Sequence, residues 1–128
     1  MKRPKILCVC DRVNVASGIK SGDLFKRALI FSALSNEQAS DYLNCWEFAV
    51  IILDVDTQQT PGDQRFDYRA ILDDLEARNF QGLIVAGGGT IEKRDKLFQQ
   101  LGVLGYDYEV IKSKIEDGTL FRNILAPT

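Results

Sequence analysis

The sequence predicts a single α/β domain built on a doubly wound, five-stranded parallel sheet with strand order 2-1-3-4-5. Three observations predict it. Ile6 to Cys10, Phe48 to Leu53 and Leu83 to Ala86 are short apolar runs that are continuous rather than alternating, as in strands covered on both faces. Segments with apolar residues at helical spacing lie between them, and strand-helix alternation implies right-handed crossovers and a parallel sheet. The third observation is size: 128 residues, 45% hydrophobic and 27% charged, suit one ordinary domain able to bury its own core.

The first strand is Ile6 to Cys10, in which Cys8 and Cys10 point to one face and serve as small hydrophobes. A short helix is expected at about Ser17 to Lys26, with Leu24 and Phe25 inward. Ala28 to Leu34 is a weaker strand. In the next helix Ala39, Tyr42, Leu43 and Trp46 fall at i, i+3, i+4, i+7, and Ser35-Asn36-Glu37-Gln38 ahead of them reads as a capping box. Trp46 is expected in or near the core. Phe48 to Leu53 is the third strand. Tyr68, Ile71, Leu72 and Leu75 repeat the helical spacing and leave Asp73, Asp74 and Glu76 for solvent. After the strand Leu83 to Ala86, a helix starts near Thr90, carries Leu97, Phe98 and Leu101 inward, and stops at Gly102. Tyr106 to Ile111 alternates as an edge strand does. A last helix places Leu120, Phe121, Ile124 and Leu125 on one face, with Ser113-Lys114-Ile115-Glu116 as its capping box. No repeat or linker divides the chain, so residues 1–128 form one domain, which also suits the N-terminal part of a longer protein.

Composition excludes several chemistries. Histidine is absent, which removes His-based triads, His-ligated zinc and a histidine general base. Sixteen Lys and Arg against 18 Asp and Glu leave a net charge of −2, so nothing draws the whole chain toward nucleic acid or an anionic membrane. The apolar run after the basic start, Met1 to Lys5, is too short for a secretory signal, and nothing approaches the roughly 20 apolar residues of a spanning helix. The expected location is the cytoplasm. Cys8, Cys10 and Cys45 make an odd number, and no further ligands gather near the C-x-C pair.

In open parallel sheets ligands bind beyond the carboxyl ends of the strands. The residues there are Asp11, Asp54 with Asp56, Gly87-Gly88-Gly89-Thr90, and Lys112. Asp11 and Asp54 end neighbouring strands in the 2-1-3-4-5 order, and converging carboxylates offer a hard oxygen site suited to Mg²⁺. A carboxylate beside Mg²⁺ can also attack a phosphoryl group and form an aspartyl phosphate. Lys112 then serves as a point charge for the carboxylate or its phosphate.

With these residues assembled, the whole chain resembles the receiver domain of two-component response regulators, a flavodoxin-like (βα)5 fold. Lys5 to Asp11 looks like the family's first strand and its acidic end, Glu37 to Leu43 like its second helix, and Phe48 to Val55 like the strand bearing the phosphoacceptor. Leu101-Gly102-Val103 and Val110-Ile111-Lys112 look like the end of helix four and the strand with the family's lysine. The resemblance implies Asp54 as phosphoacceptor, Lys112 as its partner, and Mg²⁺ held by Asp11, Asp54 and the backbone carbonyl of Asp56. It also implies signalling rather than catalysis beyond autophosphorylation at Asp54. The implied partner is a sensor histidine kinase or another signalling protein, met through the helix 4–strand 5–helix 5 face, with homodimerisation as an option.

The chain departs from the family at several positions. Cys10-Asp11 stands where two acids are usual, Gly87 where a hydroxyl residue ends strand four, and Ser113 where a proline follows the lysine. The loop after Asp54 is lengthened, Gln58 and Gln59 lie within it, and Tyr106 and Tyr108 compete for the switch-aromatic position. These departures define an alternative, a phosphorylation-independent pseudo-receiver that binds or dimerises. Enzymatic readings are weaker. Asp54-Val55-Asp56-Thr57 matches the D-x-D-x of a haloacid-dehalogenase-type phosphatase, but not on the first strand. Asp11-Arg12-Val13-Asn14 resembles the D-x-x-N of NYN-type nucleases without their later acids. The Gly87 to Thr90 loop lacks both the P-loop lysine and the dinucleotide spacing, and a corrinoid domain needs histidine.

Overall fold

A computed structural model describes residues 3–10, 28–57 and 66–121. In chain order they form β1 (Lys5–Val9), β2 (Leu29–Ala33), α1 (Asn36–Cys45), β3 (Val50–Asp54), α2 (Tyr68–Ala77), β4 (Leu83–Gly87), α3 (Ile91–Leu101), β5 (Gly105–Tyr106), α4 (Tyr108–Glu116) and a 3-10 turn, Thr119–Phe121. The five strands make one parallel sheet in the order β2-β1-β3-β4-β5. The fold class is therefore the one that the apolar runs predict. The helix expected at about Ser17 to Lys26 lies outside the described residues.

Central strand β3 is buried at every position, which is why its sequence is a continuous apolar run. Successive side chains pass to opposite faces of the sheet, and each face feeds its own core. Ile6, Cys8, Val50, Ile52 and Val85 pack with Ile111 and Ile115 of α4 and with Leu120 and Phe121. On the other face Leu7, Val9, Ile51 and Leu53 pack with Ala39 of α1 and with Tyr68, Ile71 and Leu75 of α2. At about 25 cal/mol per Å² of apolar surface removed from water, these two layers supply the main drive for folding.

Side-chain caps set the helix starts. The Ser35 hydroxyl accepts the Gln38 N–H at 3.0 Å, and the Gln38 amide oxygen reaches back to the Leu34 N–H. Asp67 caps α2 through the Ala70 N–H, and its own backbone N–H and carbonyl bond the Asn36 side chain at 2.9 Å each. This exchange ties the first turns of α1 and α2 together. Thr90 starts α3, and Gly102, at φ 71°, ends it in the left-handed conformation that glycine adopts without penalty.

The structure corrects the sequence reading in the last third of the chain. Strand five spans only Gly105–Tyr106, and Tyr108 to Ile111 is helical. Asp107 accepts the Val110 N–H at 2.9 Å and starts α4 there, so that Ile111 and Ile115, four residues apart, reach the core. Alternation across six residues gave way to a capped helix with a buried stripe. Ser113 to Glu116 consequently lies inside α4 rather than ahead of a helix. Leu120 and Phe121 are buried in the 3-10 turn, whereas Ile124 and Leu125 fall outside the described residues. Two aromatic expectations also fail: Trp46 is 44% exposed and Phe98 is 47% exposed, and α3 carries no fully buried residue.

Candidate functional site

The site lies at the carboxyl edge of the sheet and is centred on Asp54, the last residue of β3. Register pairs Asp54 with Gly87 at the end of β4, and the Val55 N–H bonds the Gly87 carbonyl at 2.8 Å. Asp54 is 0% exposed. A carboxylate so far from water needs donors, because an unsatisfied buried charge costs several kcal/mol. The Thr57 hydroxyl donates to Oδ2 at 2.8 Å, and the Tyr108 hydroxyl donates to Oδ1 at 2.7 Å. A third hydroxyl, that of Tyr68, donates to the Asp54 backbone carbonyl at 2.6 Å.

Tyr108 reaches this position because of the glycines that end and follow β4. A Cβ on Gly87 would stand 2.8 Å from the Tyr108 ring, and one on Gly88 would stand 2.6 Å from it. The Gly88 N–H also bonds the Tyr106 carbonyl at 3.0 Å, tying the loop to β5. Arg94, from α3, donates to the carbonyls of Gly88 and Gly89 at 3.0 Å each and holds the loop in place. Gly87, which stands where the receiver family has a hydroxyl residue, here makes room for an aromatic ring.

Electrostatics follow from burial. Loss of water raises the Tyr108 phenol far above its ordinary value, and the neighbouring Cys8 and Asp54 groups add to the effect. Burial likewise raises Tyr68 well above its ordinary value, against a smaller lowering by the Thr57 hydroxyl. Both phenols remain protonated donors toward Asp54. Beneath them the Cys8 and Cys10 sulfurs lie 4.0 Å apart and buried. The Cys8 thiol is raised well above its ordinary value, first by its hydrogen bond with Cys10 and then by burial. Such a thiol resists ionisation and is a poor nucleophile.

The structure brings together only part of the residue set that the sequence singles out. Asp54 sits at the centre. Asp11, Gln58 and Gln59 lie outside the described residues. Asp56 is turned to Lys93, whose Nζ donates to it at 2.9 Å. Lys112 does not end a strand: it lies within α4, half-buried, and its Nζ bonds Glu109 at 3.1 Å. The reason is the cap at Asp107, which turns the chain into α4 before Lys112 is reached. Tyr108 takes the place facing Asp54 that the resemblance gives to the lysine.

The three hydroxyl donors around Asp54 differ in how far the sequence shows them. Thr57 lies three residues past Asp54, a separation at which a turn returns a hydroxyl to the carboxylate, and that was the available signal. Tyr108 is a candidate switch aromatic in the sequence, but its true role depends on where α4 starts. Tyr68 reads as core, and its hydroxyl gives no sequence signal.

Mg²⁺ calls for about six oxygen ligands, several of them water. Here both Asp54 oxygens accept from neutral hydroxyls away from solvent. Among the described residues no three His, Cys, Asp or Glu side chains gather as a metal site. As arranged, the described donors do not fit the ion.

No protein-family model matches the sequence, and no curated protein matches it. Solved structures do match in shape. The receiver domain of the Francisella response regulator 1452 is similar, with a TM-score of 0.67 at 16% identity, over 95% of this chain and 99% of that one. An adenylate cyclase structure from Rhodopirellula baltica gives a TM-score of 0.64 at 17% identity, over 96% of this chain and 93% of that one. The chemotaxis response regulator CheY4 of Vibrio cholerae gives 0.63 at 16% identity, over 91% of this chain and 98% of that one. Most of these neighbours are response-regulator receiver domains, and at such identities the likeness establishes the fold, which is that of the receiver domain.

Proposed function

We propose that the chain is a receiver-type signal-transduction module that acts through protein–protein contact and does not depend on phosphorylation of Asp54. The observation that carries this reading is the closure of Asp54. Its carboxylate is 0% exposed, and each oxygen already accepts a hydroxyl. Attack on a phosphodonor needs one of those oxygens within about 3–3.5 Å of phosphorus and in line with the leaving group, which Tyr108 prevents. The module catalyses no reaction of its own. The receiver-domain neighbours support a signalling role, with a sensor kinase or another signalling protein as partner.

The partner face in this reading is formed by α3, β5 and α4. Ile91 on α3 is 69% exposed, and Phe98, Leu104 and Val110 are also exposed. Large apolar side chains left exposed on α3, before β5 and on α4 suit an interaction surface. It suits a heterologous signalling partner or a second copy of the chain.

One observation favours the phosphorylatable reading: Asp54 ends the central strand between β1 and β4, where the resemblance puts the phosphoacceptor. In that reading Tyr108 withdraws, and Asp11, Asp54 and Asp56 gather Mg²⁺. Incubation with Mg²⁺ and acetyl phosphate, followed by intact mass, separates the two. The proposed function predicts no added phosphoryl group. A hydroxylamine-labile gain of one phosphoryl group, absent from Asp54→Asn, would overturn it in favour of the second reading.

A further inference from the structure

A cleft of about 440 Å³ lies at the opposite, amino edge of the sheet, between the C-terminal ends of α1 and α2. Four β3 steps, about 13 Å at the usual rise, separate this edge from Asp54. Leu43, Phe48 and Phe80 form its apolar part, and Trp46 and Glu47 stand at its rim. Phe80 approaches closely because residue 82 is glycine: a Cβ there would meet the Phe80 ring at 2.5 Å and the Ala49 carbonyl at 2.4 Å.

The electrostatics of the cleft favour a cation. A helix carries the negative end of its dipole at its C-terminus, although at the end of α2 the Asp74, Leu75 and Glu76 carbonyls already accept the Arg78, Phe80 and Asn79 N–H groups. Neither α1 nor α2 has a basic residue in its last turn. Residues 36–47 carry Glu37, Asp41 and Glu47 with no lysine or arginine. Glu47 is exposed and makes no ion pair or hydrogen bond among the described residues. Arg78 is the one cation in the lining, and it is committed elsewhere: Nε donates to Asp74 at 3.0 Å, and a terminal nitrogen donates to Ser40 at 3.2 Å. Trp46 packs its indole against Phe31 at 5.1 Å and Tyr42 at 6.0 Å, and the part of the ring left to solvent adds the kind of aromatic surface that attracts cations best.

We propose that this cleft receives a basic side chain, arginine in the first instance, presented by a partner protein. The apolar stem packs on Leu43 and Phe80, the guanidinium lies against the Trp46 ring, and Glu47 supplies the opposing charge. Arginine suits the site better than lysine because its planar, weakly hydrated head can stack on indole and bond a carboxylate together. The cleft opens to solvent at its mouth, as a side chain carried on another chain requires.

Trp46 is the sole tryptophan, so its fluorescence reports occupancy directly. The test titrates the protein with acetyl-Leu-Arg-Leu-amide, with the uncharged citrulline counterpart, and with agmatine as a free guanidinium. The expected result is a saturable change for the arginine peptide, at least about tenfold tighter than citrulline and weaker at raised salt. Glu47→Gln, an exposed change that leaves melting unaltered, weakens the arginine peptide at least about threefold. Asp54→Asn leaves the titration unchanged, because that site lies at the other edge. Equal binding of the citrulline peptide, or no saturable change with any probe, overturns the proposal. Agmatine binding as tightly as the peptide also overturns it and assigns the cleft to a free organic cation.

Discussion

The bond between Tyr108 and Asp54 can be weighed by removing one oxygen atom. Tyr108→Phe keeps the ring that fills the space over Gly87 and Gly88 and deletes the hydroxyl that donates to Oδ1 at 2.7 Å. The carboxylate is fully buried, so water does not replace the lost donor, and Thr57 remains on the other oxygen. A hydrogen bond to a charged group contributes about 1.5–3 kcal/mol. The expected loss is therefore about 2 kcal/mol, or about 8 °C in melting temperature for a domain of this size. Urea unfolding at pH 7 measures it as a lower midpoint at unchanged slope. Repeating the substitution in Asp54→Asn completes a double-mutant cycle, in which the same change costs less and leaves a coupling of about 1 kcal/mol or more. A single-variant loss under about 0.5 kcal/mol, or a coupling indistinguishable from zero, would refute the view that the two groups hold each other.

The same burial makes stability depend on alkaline pH. Tyr68 and Tyr108 both have folded-state values raised above the ordinary 10.0, so their contribution is complete below about pH 10 and is lost as pH rises above it. Each phenol removes about 1.4 kcal/mol per pH unit in that range, and unfolding followed at several alkaline pH values should show a gentler fall in Tyr108→Phe. Gly88→Ala adds a Cβ at φ 84° that meets the Tyr108 ring at 2.6 Å. It should destabilise the fold by about 2 kcal/mol or more and lower the pH at which Tyr108 ionises, read by absorbance at alkaline pH. Lys112→Ala removes a side chain whose partner, Glu109, is itself exposed. It should stay within about 0.5 kcal/mol of wild type, and a large loss would mean that Lys112 serves Asp54 after all. Leu75→Ala, 1% exposed in the second core layer, should cost about 2–5 kcal/mol.

Sequence and structure agree where burial alone decides the outcome. The runs at β1, β3 and β4 are apolar throughout because both faces are covered, and a two-sided strand is hard to mistake for anything else. Ser35, Thr90 and Gly102 act through local geometry, and each stands where the sequence places it. The misreading at Tyr106 to Ile111 came from a short stretch that satisfies two periods at once. There the Asp107 cap and the four-residue spacing of Ile111 and Ile115 outweigh the alternation. That single boundary also determines the site, because it puts Lys112 on a helix and Tyr108 over Asp54. Trp46 and Phe98 fit the helical stripes yet remain exposed, since a stripe gives the direction of a side chain but not whether another layer covers it. Asp54 was legible from its place at the end of a buried strand. Its hydroxyl donors come from residues 57, 68 and 108, and nothing in local spacing brings the last two together.

The central claim, that Asp54 is closed, is tested most directly with beryllofluoride, which adds to a carboxylate oxygen as a stand-in for a phosphoryl group. Fluorine NMR with Mg²⁺ and beryllofluoride reads that adduct without needing a kinase. A closed Asp54 gives no protein-bound fluoride resonance in the wild-type protein, because both oxygens are buried and already bonded. A bound resonance that requires Mg²⁺ and disappears in Asp54→Asn would contradict it, and would show that Tyr108 yields its place readily to a phosphoryl group.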